Sequence, residues 1–396
     1  MFRKVAIIGC GMTKFGRHDD KTLLDLLTEA SLKALDDAKL GDRDVDAVYV
    51  SSMLSGELSK QTALGSALSD QLGMFPSTAD RVENGPASGG SAVKNACFAI
   101  ASGAFDTALV VGGEKMRHVS GEAITDLIAT MTHPTAEYIH GVTLPALAGL
   151  FTRFYMHHYK EFKYDHLAMI AVKNHENALK NPYAHIRSKI TLEGILYSPE
   201  AEQNNPMIAD PLRLYDCCPV SDGAAAIMLC AAERAKDFTD LPATIAGVAQ
   251  ATDTLALHER EDPTTLYAVK NASERAFKMA KITPADIDVA ELHDAFTILE
   301  LAESEDAGFF KKGTGCRAIE EGVTKIDGKL PINPSGGLKA RGHPLGATGI
   351  AHLVELTWQL RGEAGERQVA GAEFGFSCNF GGFGNNVIAF VLQRSG

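Results

Sequence analysis

The stretch "VENGPASGGSAVKNACFAIASGAFDTALVVGGEKM", Val82 to Met116, reads as a tight turn, a buried helix and a buried strand. Ala, Val, Phe and Ile recur at helical spacing after the turn, and "DTALVVGGE" (Asp106–Glu114) is a continuous apolar run bounded by turn residues. The turn itself, "NGPASGG", has the glycines that let a backbone approach a ligand closely. It holds no Cys, His, Asp or Glu, and a proline stands at position 86.

This unit repeats. "TEASLKALDDAKLGDRDVDAVYVSSM" (from Thr28) and "KNASERAFKMAKITPADIDVAELHDAF" (from Lys270) share a helix, a short turn and a strand, with Asp44-Val45-Asp46 matching Asp286-Ile287-Asp288. A strand candidate precedes each, "KVAIIGCG" and "ATIAGVAQA". The turn and helix at Asn84 are matched by "RGHPLGATGIAHLVELTWQLRGE" (Arg341–Glu363), and "DTALVVGGE" is matched by "NNVIAFVLQ" (Asn385–Gln393). Such alternation predicts α/β layers with mostly parallel sheets, in two similar halves whose turns face one cleft. The halves are residues 1–116 with 213–242, and 243–396. Residues 117–212, rich in His, Tyr and Met, fit neither copy and read as an inserted, mostly helical lid.

The 396 residues are 45% hydrophobic and 22% charged, enough for a well-packed core. No apolar run approaches the ~20 residues of a membrane span, and the start "MFRKVAIIGCG" is a buried strand rather than a leader. Net charge is −12, without a Lys/Arg stripe, so nucleic acid is not an expected partner. The seven cysteines form no C-x-x-C pair, so no metal site is expected. They imply reduced thiols and a cytoplasmic protein.

Chemistry concentrates in four places. "NPSGGLKARGHPLGATGIAH" (Asn333–His352) sets His343 just before a helix, where it can sit beside developing negative charge. "ELHDAFT" puts His293 and Asp294 at a strand end, where α/β layers collect ligands. "GFSCNFGGFGNN" carries Cys378 between a strand and a Gly-rich turn. "DCCPVSDGAAAIMLC" leads into an Ala-rich core strand, and Cys217 and Cys218 there read as structural.

Together these stretches resemble the thiolase superfamily over nearly the whole chain, most specifically "NPSGG…GHPLGATG" and the C-terminal "C…GG.G". "HDAFT" resembles the sterol-carrier-protein-type branch, including archaeal and bacterial acetyl-CoA acetyltransferases. The resemblance implies a duplicated five-layered α-β-α-β-α fold, with residues 117–212 as the loop domain. It implies His293, His343 and Cys378 as catalytic residues, and Ser335, Gly336 and Gly337 in the coenzyme A site. Arg153, Lys173, Arg187 and Lys189 are candidates for the CoA 3′-phosphate.

In the family a nucleophilic Cys begins the first buried helix; here Pro86 occupies its position. Proline fits a helix start, where its missing N–H has no partner to lose. Pro86 forms no thioester, and Ser88 or Cys378 would have to replace it. The resemblance therefore implies a thiolase-like acyl-CoA enzyme working through an enolate, by aldol or retro-aldol cleavage or an atypical Claisen reaction. The alternatives are a non-catalytic acyl-CoA-binding or scaffold subunit, and an acetyl-CoA acetyltransferase with a replaced nucleophile. A coenzyme A ester is then the substrate, with no covalently bound cofactor. Implied partners are further copies of the chain, as a dimer or tetramer, and a small OB-fold, zinc-ribbon protein.

Overall fold

The computed structural model describes residues 3–41 and 45–395, so Asp44 of the repeated Asp-x-Asp pair lies outside the described residues. The strands are β1 (Val5–Met12), β2 (Ala47–Ser51), β3 (Thr78–Val82), β4 (Thr107–Glu114), β5 (Met207–Ala209), β6 (Leu212–Arg213), β7 (Gly223–Ala231), β8 (Ala243–Thr252), β9 (Val289–Glu291), β10 (Phe374–Gly381) and β11 (Asn386–Arg394). Nine of them hydrogen-bond in the order β3-β2-β4-β7-β1-β8-β11-β10-β9, and β5 with β6 forms a separate hairpin.

Only β2–β3, β2–β4 and β9–β10 run parallel; the other pairings of the large sheet are antiparallel. This corrects the mostly parallel expectation. Helical crossovers feed only the outer strands of each half, while β7 and β11 return antiparallel beside β4 and β10. The repeat is also shifted from the reading above. By position in the sheet, β4 corresponds to β10, and "NNVIAFVLQ" corresponds to β7. Between the halves the ladder is short, three residue pairs of β1 with β8.

Five layers follow from which face of each strand is apolar. Alternate residues of β4 and β7, such as Leu109, Val111, Ala226 and Met228, pack with the buried stripe of helix α1 (Leu23–Asp37). The intervening Val110, Ile227 and Leu229 pack on a central pair, α2 (Ser88–Ser102) and, later in the chain, the helix Thr348–Arg361. Ile388 and Phe390 of β11 reach that pair from the other half. Val387 and Val391 face outward onto the helix Tyr267–Ala280. A bulge at Ile7/Gly9 shifts the phase of β1, so Val5 and Ile7 before it and Cys10 and Met12 after it all face the central layer.

Between β4 and β7 run α3 (Gly121–Ala129), α4 (Leu144–His158), α5 (Tyr164–Leu179) and the β5–β6 hairpin. Residues 206–214 pack beside α4, where a side chain at Gly149 would meet the Asp210 carbonyl. The C-terminal half adds α6 (Tyr267–Ala280), α7 (Thr297–Asp306), α8 (Gly337–Arg341) and α9 (Thr348–Arg361). Among the described residues, no helix is long and apolar enough to cross a membrane.

Candidate active site

The turn before α2 is closed by the Ala87 N–H donating to the Asn84 carbonyl, 3.1 Å, and the Ser88 N–H donating to the Gly85 carbonyl, 3.1 Å. Gly85 has φ +54°, a backbone conformation that favours glycine, and a Cβ there would push the flexible Met131 side chain aside from 2.7 Å. Pro86 lies one residue before the N-cap, Ala87, rather than in the first helical turn. Its missing N–H still leaves no orphan, because the turn takes its donors from residues 87 and 88.

Pro86, His293 and His343 line one cavity of about 190 Å³. Insertion residues Ile124, Ile128, Met131 and Leu144 form one wall; Phe296, Leu299, Phe380 and Phe383 form another. The imidazole centroids of His293 and His343 are 5.0 Å apart with planes at 85°. Burial lowers the His293 pKa well below the usual value, and His343 beside it lowers it further. Burial, with the Arg341 charge second, brings His343 down to about 3. Both rings are therefore neutral near pH 7.

His293 follows β9. Its backbone N–H donates to Glu303 Oε2, 3.0 Å, its ring stacks on Phe380 at 5.1 Å, and Asn379 Nδ2 is 3.3 Å from its Nδ1. His343 Nδ1 lies 2.7 Å from Thr348 Oγ1 at the start of α9. Two groups, Glu114 and Asp294, anchor the C-terminal turns. Glu114, at the end of β4, accepts from the Gly346 N–H at 3.0 Å and from Ser52 Oγ at 2.7 Å. Asp294 accepts the Leu338 N–H at 2.6 Å, at the N-terminus of α8. Burial raises the Asp294 pKa to about 7. Asp294 is thus an anchor beneath the site, not part of its wall.

The other expected site residues lie elsewhere. Cys378 is fully buried and does not reach the cavity. It shares a face of β10 with Phe376 and Phe380, and Phe380, one rung further out, is the residue that lines the cavity. The neighbour of Cys378 Sγ is Ser273 Oγ at 3.9 Å, and burial, reinforced by Glu303, raises its pKa well above the usual thiol value. Ser88 donates to the Gly85 carbonyl at 2.5 Å and is likewise absent from the wall.

Ser335, Gly336 and Gly337 are buried as well and leave no room for a ligand. Ser335 Oγ donates to Glu291 Oε2, 2.7 Å, and a Cβ at Gly337 would sit 2.2 Å from Asp294 Oδ2. Their positive-φ turn sets up α8 and the His343 loop rather than a coenzyme site. Lys173 is tied inside to Glu300, 2.8 Å, and to the Ile332 carbonyl, 2.6 Å, so it cannot meet a phosphate. Arg153 pairs with Asp210, Arg187 donates to the Leu179 carbonyl, and Lys189 is exposed.

Three groups near the cavity were not expected there. Cys217 and Cys218, read as structural, line it, with both thiols pushed up to about 12 by burial. His352 of α9 is fully buried, 6.3 Å from His293 ring to ring, with the Cys378 backbone beside its ring. Its i, i+4 spacing from Thr348 was the available signal. Among the described residues, no group of three or more His, Cys, Asp or Glu is arranged to hold a metal ion.

Residues 5–233 match the thiolase N-terminal domain, and residues 249–394 match the thiolase C-terminal domain-like family. The chain belongs to the thiolase superfamily. Among curated relatives of this thiolase-fold chain is an acetyl-CoA acetyltransferase of Methanothermobacter thermautotrophicus. It is 47% identical, over 99% of this chain and 100% of the relative. Human sterol carrier protein 2 is 33% identical over 99% of this chain and 72% of its own length, which supports the sterol-carrier-protein-type branch. The solved structure of an Ltp2-ChsH2(DUF35) aldolase superposes with a TM-score of 0.83 at 26% identity, covering 98% of this chain and 97% of that one.

Proposed function

We propose that this thiolase-like chain makes or breaks a C–C bond next to the thioester of an acyl-CoA, through an enolate and without a covalent acyl-enzyme. The observation that carries the reading is the convergence of His293 and His343, both neutral, with Pro86 on one apolar cavity. A neutral imidazole that donates can hold an enolate oxygen, and one that accepts can take a proton. In the cleavage direction a β-hydroxyl proton passes to an imidazole and the Cα–Cβ bond breaks. A carbonyl product leaves, the electron pair enters the enolate, and the same proton returns to Cα. Atoms and charge balance without an oxidant or a cofactor. Pro86 stands where the family carries its nucleophile and offers no attacking atom.

The names of the relatives agree with an acyl-CoA substrate. One solved neighbour is an Ltp2-ChsH2(DUF35) aldolase, and a small partner of the OB-fold, zinc-ribbon kind is part of the proposal. So are a homo-oligomer and the division into two halves, 1–116 with 213–242 and 243–396, with residues 117–212 as a lid.

The test is to mix the protein with acetyl-CoA in D₂O and follow deuterium entering the methyl group. Exchange that disappears in His343→Ala supports the enolate reading; binding of the ester without exchange overturns it in favour of a scaffold. One observation favours a second reading, acyl transfer through a wall thiol: Cys217 and Cys218 lie in the cavity. Both are held as neutral thiols, so that reading needs a base to reach them. An intact-mass acyl adduct mapped to Cys217 or Cys218 would decide for it.

A further inference from the structure

We propose that the two cavity histidines are locked in opposite tautomers, His293 presenting an Nε2–H donor and His343 a bare Nε2 acceptor. Asn379 and Thr348 are the positioning residues that lock them. The inference rests on the enolate reading of the cavity and assigns the two roles within it.

Asn379 lies between the halves. Its Oδ1 accepts the Gly90 N–H at 3.1 Å, and its Nδ2 donates to the Pro86 carbonyl at 3.1 Å. A backbone N–H only donates and a carbonyl only accepts, so the side-chain amide has one permitted orientation. That orientation turns an NH₂ towards His293 Nδ1, 3.3 Å away. Nδ1 must then be the acceptor. A neutral imidazole has a single N–H, which is placed on Nε2.

Thr348 points to the reverse. Its hydroxyl lies 3.0 Å from the Pro344 carbonyl, in place to donate its one proton there. The oxygen is left as an acceptor towards His343 Nδ1 at 2.7 Å, so that nitrogen carries the proton and Nε2 is bare. Among the described residues neither Nε2 has a hydrogen-bond partner, and neither is sealed away from the cavity. The two rings meet edge to face in the cavity wall. One donor and one acceptor thus converge, as enolate formation needs. His293 Nε2–H holds the thioester oxygen, and His343 Nε2 takes the β-hydroxyl proton and returns it to Cα.

The residue that fixes His293 also holds the Pro86 carbonyl. The amide of Asn379 therefore ties the turn without a nucleophile to the donor in the cavity, and its role differs from that of neighbouring Cys378 one side chain away.

The experiment is ¹⁵N–¹H correlation of imidazole signals in the full-length protein, free of substrate, near pH 7.5. His293→Gln and His343→Gln spectra assign the two rings. The expected pattern is Nε2–H for His293 and Nδ1–H for His343. Thr348→Val should move His343 towards Nε2–H and lower methyl deuterium exchange by about 10²-fold, while Thr348→Ser should keep both pattern and rate. Asn379→Asp, which can accept from Nδ1–H, should switch His293. If Asn379→Asp fails to fold, the wild-type and Thr348 spectra decide. The same tautomer on both rings, or a Thr348→Val spectrum identical to wild type, overturns the proposal. The expected pattern without any deuterium exchange would leave the tautomers standing and remove the enolate reading alone.

Discussion

Two glycine-containing turns lead into the two central helices, and they differ in what they offer. The turn at Asn84–Ala87 closes on its own backbone and presents Pro86, an atom set with no proton to give or take. The turn at Gly342–Ala347 presents His343, with Glu114 of the other half gripping the Gly346 N–H. The duplicated frame supplies two equivalent seats beside one cavity and does not dictate that both hold chemistry. What a seat requires is a backbone path, and proline satisfies the path of the first without supplying an attacking atom.

The most drastic way to break this asymmetry is Pro86→Cys. It places a thiol in the cavity wall near His343, and acetyl-CoA should then yield an acyl adduct at residue 86, seen by intact mass and peptide mapping, where the natural chain yields none there. Absence of the adduct would mean that the first seat does not address the thioester. His343→Ala strips the second seat instead. Methyl deuterium exchange should fall by about 10²- to 10⁴-fold, the usual worth of a positioned acid or base. Gly85→Ala tests the first path. Its φ of +54° should lower stability by about 1–3 kcal/mol in chemical denaturation.

Acidity sharpens the comparison at the second seat. His343 is held at about 3 in the folded protein against the ordinary 6.5, so folding favours its neutral form. Its contribution to stability is complete above pH 6.5 and is lost as pH falls towards 3. Its NMR signals should show no protonation between pH 8 and 5, and the exchange rate should have no inflection near 6.5. The smallest effect is expected from Cys378→Ala. It removes a sulfur that faces Ser273, so exchange should stay within about threefold of wild type, far short of a lost acid or base. A loss as deep as that of His343→Ala would return Cys378 to the chemistry.

Much of this was legible in the chain. The repeat and the two histidine motifs follow from periodicity and from residues adjacent in sequence, whereas the five layers were legible only through the resemblance to the thiolase superfamily. Strand direction was not, because apolar runs such as "TALVVGGE" look alike whichever way a neighbour runs. The placement of Cys378 depends on depth along β10, where Phe380 reaches the cavity and Cys378 does not; alternation alone gives the face but not the depth. Cys217 and Cys218 line the cavity only because the chain before β7 crosses beside Ala295, whose carbonyl accepts the Cys218 N–H at 2.9 Å. Asn379 went unnoticed beside its more reactive neighbour, since an amide reveals its role only through the partners on both sides of it.

The central helices meet glycine against glycine between their first turns, with only the Asn379 amide of β10 reaching in beside them. A Cβ on Gly349 would lie 2.4 Å from the Gly90 nitrogen, and one on Gly89 would lie 2.9 Å from the Gly346 oxygen. Such a seam tolerates no substitution and no slippage, so natural variation among descendants of this chain is channelled away from it. New reactivity and new acyl preferences can arise only by exchanging the cavity's lining, one wall residue at a time, over a hinge-free foundation that selection must leave alone.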